Sequence, residues 1–146
     1  MKSEINQFRD EYSFLSNFYP SPLTYKGVRY PTVENAFQAQ KVDNVPNRAD
    51  LIHEFTKIPP SQAKRLGRKV PMRSDWDVIK LNIMNELVDL KFTQNKHLAH
   101  KLLETGDAIL IEGNTWNDTY WGVCRGTGKN HLGQILMRVR NKLKEV

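Results

Sequence analysis

Residues Glu112–Gly133 read EGNTWNDTYWGVCRGTGKNHLG, a loop-rich segment that sets two carboxylates (Glu112, Asp118) among three asparagines (Asn114, Asn117, Asn130) and two tryptophans (Trp116, Trp121). A hydrophobic run, Ala108–Ile111, leads in as a strand reaching Glu112, and an amphipathic helix, Leu132–Leu143, leads out. Loops held between rigid elements are where binding and catalytic groups concentrate. Turn chemistry accounts for Gly126 and Gly128. It does not account for acid, amide and aromatic side chains at this density, so the segment reads as a site.

Working outward, Asn130 is placed as N-cap of the last helix, whose Leu132, Ile135, Leu136, Val139 and Leu143 form a buried face. Gly126-Thr-Gly128-Lys-Asn130 before it has the look of a phosphate cradle, without the spacing of a P-loop or of a dinucleotide fingerprint. Upstream, a helix over His97–Glu104 stops at Thr105-Gly106. Before it, Asp75 is expected to cap a long core helix from Trp76 to about Asn95. Its 3.6-residue repeat is carried by Ile79, Ile83, Leu87, Leu90 and by Val78, Met84, Val88. Trp76, at its start, fits either stacking on a ligand or core packing.

In the first half, the aromatics of Ile5–Pro20 follow no period, so Phe14-Leu-Ser-Asn-Phe18 is expected as a loop wedged on the body. Asn17 offers a donor and an acceptor to a ligand, or caps local backbone. Leu23–Tyr30 alternates about Lys26-Gly27 and predicts a β-hairpin. Pro31-Thr32 then starts a helix over Val33–Val42, with Thr32 as N-cap. Glu34, Phe37, Gln38 and Lys41 share one face at i, i+3, i+4 and i+7. A core stripe at that spacing is apolar, whereas three of these four side chains are charged or strongly hydrogen bonding, which suits a pocket wall. Asn47 is expected to cap a helix over Ala49–Lys57 with Leu51, Ile52 and Phe55 as its core face. After Pro59-Pro60 a short helix begins at Ser61. Lys64, Arg65, Arg68, Lys69 and Arg73 are the densest basic cluster, suited to phosphate contact or to a solvated surface.

No repeats appear, strands are few, helices are many, and no strand–helix alternation suggests a Rossmann sheet. The pattern predicts one helix-rich α+β domain over residues 1–146, with a small β-hairpin or sheet. A formal net charge of +6 favours anionic partners. The single cysteine, Cys124, excludes an internal disulfide and suits a reducing, cytoplasmic setting. Met1-Lys-Ser-Glu lacks the apolar stretch of a signal peptide and no run reaches membrane-spanning length, so no membrane partner is expected. The four histidines show no metal-ligand spacing, and no metal or other cofactor is expected.

Laid out in order, these residues resemble the NADAR domain (YbiA-like) family nearly end to end. The markers are Phe14–Phe18, Pro31–Glu34 with Phe37–Lys41, Gly67-Arg68, Asp75-Trp76, Lys91-Phe92 with Gln94-Asn95, Thr105–Asp107, Glu112, Asp118–Gly122, Asn130–Gly133, Leu136-Met137 and Arg140. The chain departs from the family at Cys124-Arg125, where a glycine is usual, and at Glu112-Gly113-Asn114, where small residues are usual. The resemblance implies a YbiA-like fold and an N-glycosidase. Its substrate would be a riboflavin-pathway ribosylamine phosphate or an ADP-ribosylated guanine, free or carried on nucleic acid. Glu34, Lys41, Asp118 and Trp121 are the positions to which family function transfers first.

Chemistry fits that implication. Breaking a ribosyl C1–N bond develops positive charge at C1, which a carboxylate stabilises, while a second group protonates the departing nitrogen or activates water. Glu34 and Asp118 are the candidate acids. Lys41 is the candidate for holding an anionic group or attacking C1. Substrate-binding roles are expected for Asn17, Phe18, Gln38, Trp76, Glu112, Asn114, Trp121, Gly122 and Asn130. Two other readings remain: a non-catalytic module for ADP-ribose or another NAD-derived nucleotide, and a nucleic-acid-binding protein driven by Arg65, Arg68 and Arg73.

Overall fold

Lys26 and Gly27 take positive φ angles of 50° and 80°, the left-handed pair that closes a two-residue hairpin. They join β2 (Leu23–Tyr25) to β3 (Val28–Tyr30) in antiparallel register, Leu23 opposite Tyr30. In the computed structural model, which describes residues 2–145, this hairpin belongs to one of two compact units. That unit is Asn17–Gln94, and the other is Met1–Ser16 with Asn95–Val146. Met1 and Val146 themselves lie outside the described residues.

Within Asn17–Gln94 the centre is α1 (Val33–Ala39), every residue of which is buried. Thr32 caps it as its sequence predicts, its hydroxyl oxygen accepting the Asn35 N–H at 3.1 Å. Asn35 in turn donates to the carbonyls of Phe55 and Ile58, tying down the segment after α2 (Arg48–Glu54). Helices α3 (Pro60–Leu66) and α4 (Trp76–Gln94) pack on α1. The end of α4 is fastened to the hairpin, with Gln94 accepting from Thr24 N–H and donating to the Thr24 carbonyl.

Several expectations need correction here. The core stripe of α4 runs through Trp76, Ile83, Met84, Leu87, Val88, Lys91 and Phe92, and Val78 is 82% exposed. Six residues separate Val78 from Met84, which at about 100° per residue turns Val78 well off the stripe. Both carboxylate oxygens of Asp75, the expected cap of α4, are engaged by Arg73. Asn47 stands at the N-cap of α2 without a side-chain capping bond. Leu51 and Ile52 are only half-buried; the core residue is Phe55, just past the helix end. Helix α3 starts at Pro60, one residue before Ser61, using the position where a missing N–H costs nothing.

The other unit holds two short parallel pairings, β1 (Glu4–Ile5) with β4 (Ile109–Leu110), and β5 (Gly113–Asn114) with β6 (Val123–Cys124). The stretch expected as a loop begins instead with a 3₁₀ helix, Asp10–Leu15, which buries Phe14 and Leu15. Helix α5 (Lys96–Glu104) ends at Gly106 with φ of 63°, the predicted glycine stop. Helix α6 (His131–Lys144) packs on α5 and β4. At Gly133 there is no room for a Cβ beside the Leu110 carbonyl, so glycine permits the close approach of helix and strand. Arg140 is buried in α6 and donates to the Thr105 hydroxyl and the Ala108 carbonyl, each at 2.8 Å. The whole is a helix-rich α+β chain, as expected.

Candidate active site

Helix α1 sets the first cluster. Thr32 aligns its first turn, and the Asn17 carbonyl accepts the Glu34 N–H at 3.1 Å, satisfying one of the free donors of the helix start. Glu34 and Gln38 then stand one turn apart, both buried. The Gln38 Nε2 donates to Glu34 Oε2 at 2.6 Å, as short as bonds to an ionised acceptor. Gln38 Oε1 is buried and accepts no hydrogen bond among the described residues. It faces Gly67, where any Cβ would collide with the amide. Gln38, expected to orient a ligand, is thus turned onto Glu34, in a space that exists because residue 67 is glycine.

Lys41 lies one further turn along. Burial lowers its proton affinity, Glu34 opposes that shift, and Arg68, Lys80 and Lys64 add to it. Its Nζ lies 6.0 Å from the centroid of the Trp76 ring. That ring is 5% exposed and packs on Phe37 at 4.9 Å, so in this structure Trp76 is a packed floor rather than an open stacking surface. Asn17 contributes its backbone to α1, while its amide donates weakly to Met84 Sδ at 3.5 Å. Phe18 is 39% exposed. Beyond the end of α1 lies an open groove of about 450 Å³, lined by Val42, Arg48, Arg73 and Asp75 among others and by none of the expected site residues.

The second cluster, in the other unit, is knit by amides. Asn114 Nδ2 donates to Glu112 Oε2 at 3.0 Å and to the Asp118 carbonyl at 2.9 Å, and its Oδ1 accepts the Asp118 N–H. Asp118 Oδ1 accepts from Tyr120 N–H at 3.1 Å and Trp121 N–H at 2.9 Å, a turn closed by its own side chain. A Cβ on Gly122 would strike both the carboxylate and the carbonyl of Glu112. Asn130 is at the N-cap position of α6 but makes no side-chain cap, because it takes the left-handed conformation, φ 54° and ψ 42°. Its Oδ1 instead accepts Glu112 N–H and its Nδ2 donates to the Leu110 carbonyl. Trp121 is half-buried and meets Tyr120 edge-on, and Tyr120 also packs on His131. Arg125 has a φ of 52° and its guanidinium donates to Asn117 Oδ1, which explains why a glycine is at ease at this position.

The structure therefore gathers Glu34, Gln38, Lys41 and Trp76 in one unit, and Glu112, Asn114, Asp118, Gly122 and Asn130 in the other. Lys80, one turn beyond Trp76 on α4, was not singled out from the sequence and adds to the lowered proton affinity of Lys41. Among the described residues, no group of three or more His, Cys, Asp or Glu side chains is placed to hold a metal ion. No helix among them is long and apolar enough to cross a membrane.

Comparison with known proteins bears on this arrangement. Residues 5–144 match the NADAR domain. N-glycosidase YbiA of Escherichia coli is 38% identical over 137 residues, covering 92% of this chain and 83% of that protein. A riboflavin biosynthesis protein of Vibrio vulnificus is 40% identical over 139 residues, 93% of this chain, and this chain spans only 37% of its length. The NMR structure of the E. coli protein YbiA superposes with a TM-score of 0.83 at 35% identity, covering 99% of this chain and 88% of that one. The class that this fold and these relatives define is an enzyme class, hydrolases of glycosyl bonds to nitrogen. The chain belongs to the NADAR domain family.

Proposed function

We propose that the chain hydrolyses the C1–N bond of a phosphorylated ribosyl substrate, either an ADP-ribosylated guanine or a ribosylamine phosphate of riboflavin synthesis. The observation that carries this reading is the buried Glu34 carboxylate, held at 2.6 Å by Gln38 and lying on the same face of α1 as a lysine of lowered proton affinity. In the reaction the C1–N bond breaks, a C1–O bond to water forms, and the proton released by water ends on the departing nitrogen. Positive charge grows at C1 as the bond breaks, and Glu34 supplies a fixed negative charge that needs no reorganisation to meet it.

Lys41 serves the same step. A lysine with lowered proton affinity is a stronger acid toward the leaving nitrogen and, once neutral, a nucleophile toward C1. Borohydride added during turnover separates these roles, since only an imine to Lys41 yields a stable mass adduct. Asp118 remains the second candidate acid. Its Oδ1 is committed to two N–H groups, which leaves Oδ2 to exchange a proton. Asp118→Asn preserves the Oδ1 acceptor and so tests the charge alone.

Support for the substrate class comes from the riboflavin biosynthesis relative and from the excess of basic residues. The test is mass spectrometry of the protein with a riboflavin-pathway ribosylamine and, separately, with guanine-ADP-ribosylated DNA. Release of free base or amine, reduced at least about a hundredfold by Glu34→Gln, is the expected result. Bound but intact substrates would favour a binding module for ADP-ribose instead.

A further inference from the structure

Gln38 holds its side-chain amide where half of it goes unused. The residue is 5% exposed, its Nε2 donates to Glu34 Oε2 at 2.6 Å, and its Oε1 accepts no hydrogen bond among the described residues. The reason lies in what Oε1 faces. Gly67, set against it, has no side chain, and its own N–H donates to the Ala63 carbonyl at 2.9 Å. The next two N–H groups, of Arg68 and Lys69, go to the carbonyls of Arg65 and Leu66. The end of α3 thus covers the glutamine carbonyl while its backbone has no donor left to give.

Stability alone does not explain this arrangement. On an exposed helix an amide and a carboxylate one turn apart are a modest stabiliser. Here both are buried, and a buried carbonyl without a partner destabilises a fold. An apolar side chain at position 38 would avoid that. Turning the amide over is no remedy. It would set Oε1 against the Glu34 carboxylate, oxygen to oxygen, which only a proton between them relieves. It would also leave a buried N–H group orphaned against Gly67, and orphaned donors are rarer than orphaned carbonyls. Local rules broken in this way are expected where a group serves the site rather than the fold.

We propose that Gln38 is a positioning residue: its amide, kept in one orientation under the glycine end of α3, holds the Glu34 carboxylate ionised and aimed, so that Glu34 is the standing charge at C1 and not the proton donor. This deepens the glycosidase reading and rests on it for the reaction, though not for the state of the carboxylate. An N–H donor favours the charged form of a carboxyl group. A carboxyl that serves as proton donor is instead kept neutral by apolar surroundings.

The test compares the unaltered chain with Gln38→Met, which keeps the length of the side chain but removes both the donor and the orphaned carbonyl, and with Gln38→Glu. One readout is the pH profile of kcat on a ribosyl substrate. The other needs no substrate: NMR titration of glutamate carboxyl carbons, with the Glu34 signal assigned by its loss in Glu34→Gln. Lys41, the charged group on α1 coupled to Glu34, is unchanged in both variants, as are Lys64 of α3, Arg68 and Lys80 of α4, which bear on Lys41. Tyr30 of β3, whose hydroxyl accepts from Gln40, is unchanged as well. The differences therefore isolate the amide. In Gln38→Met the Glu34 titration and the acid limb of kcat should both move up by about one pH unit. Its kcat should fall at least about tenfold with KM little altered, while the thermal midpoint holds or rises because the orphan has gone with the amide. In Gln38→Glu two carboxyls share one proton, so activity should return where that proton is present and vanish toward alkaline pH. A Glu34 that titrates alike in the unaltered and Gln38→Met proteins, or that is protonated near neutral pH in the unaltered protein, overturns the proposal. So does a Gln38→Met protein that loses midpoint and activity together with its acid limb unmoved, the mark of a role in packing. If the unaltered protein turns over no ribosyl substrate, the glycosidase reading fails and the NMR titration alone decides the role of the amide.

Discussion

Glu34 and Glu112 are built alike and placed differently. Each carboxylate accepts a side-chain amide, from Gln38 at 2.6 Å and from Asn114 at 3.0 Å. Each arrangement is closed by a glycine, Gly67 against Gln38 and Gly122 against Glu112. On α1 the bond joins residues one turn apart on a fully buried helix, and what lies beyond it is charged side chains: Lys41 and the cations around it. In the 112–133 segment the remaining amide atoms go to main chain, to the Asp118 carbonyl and N–H, Glu112 N–H and the Leu110 carbonyl. The same carboxylate–amide unit thus sits beside charged side chains in one place and among main-chain groups in the other. Density of polar residues alone does not reveal which.

The sharpest way to break the comparison is at the two glycines. Gly122→Ala sets a Cβ against the Glu112 carbonyl, which is backbone and cannot swing aside. We expect a loss of about 2 to 3 kcal/mol, read as a lowered midpoint in denaturant. Gly67→Ala instead meets the end of a flexible glutamine. Its cost in stability is smaller, about 1 kcal/mol, and its effect falls on turnover, because Gln38 must move off Glu34. A Gly67→Ala enzyme that is destabilised yet fully active would erase the distinction.

Asn130→Ala comes next. It removes the acceptor of Glu112 N–H and the donor to the Leu110 carbonyl, so about 1 to 2 kcal/mol should be lost. Hydrogen exchange should rise at the Glu112 amide while α1 stays protected. Exchange spread evenly over both units would speak against a local role.

A weaker effect, visible only against pH, concerns Lys91. It is 1% exposed, and burial pulls its proton affinity down from 10.5 to about 7. Below about pH 7 both folded and unfolded chains hold this proton, and the full cost of burying the cation is present. As pH rises from about 7 toward 10.5 the unfolded chain binds a proton that the folded chain has lost, so stability rises. Lys91→Met should therefore be more stable than the unaltered chain at pH 6, with the gap narrowing as pH rises. A gap that is constant with pH would show that Lys91 is not titrating.

Much of this was legible in the residues themselves. Lys26-Gly27 specified its hairpin, Thr32 its cap and Gly106 its helix stop, because each is a local conformational preference. The face Glu34–Gln38–Lys41 stood out because helical spacing brought polar groups where apolar ones were due. What was not legible depends on distant partners. Strands of two residues have no period to read, and β1 pairs with β4 across about a hundred residues of chain. Asn130 reads as a cap until its left-handed backbone sends the amide to Leu110 and Glu112. Arg73 reads as part of a basic cluster until Asp75 is seen to hold it. The 3₁₀ helix at Asp10–Leu15 was hidden for a related reason, since six residues with no apolar period reveal little.

The central claim is that the Glu34 carboxylate on α1 works on the substrate and the Glu112 carboxylate works on the fold. Steady-state kinetics of Glu34→Gln and Glu112→Gln, measured together on one ribosyl substrate and matched to their thermal midpoints, tests it most directly. The account predicts that Glu34→Gln loses at least about a hundredfold in kcat with KM and midpoint near those of the unaltered enzyme. Glu112→Gln should keep kcat within about tenfold and show the lower midpoint. A Glu34→Gln enzyme that turns over normally, or a stable Glu112→Gln enzyme that does not turn over at all, would contradict it.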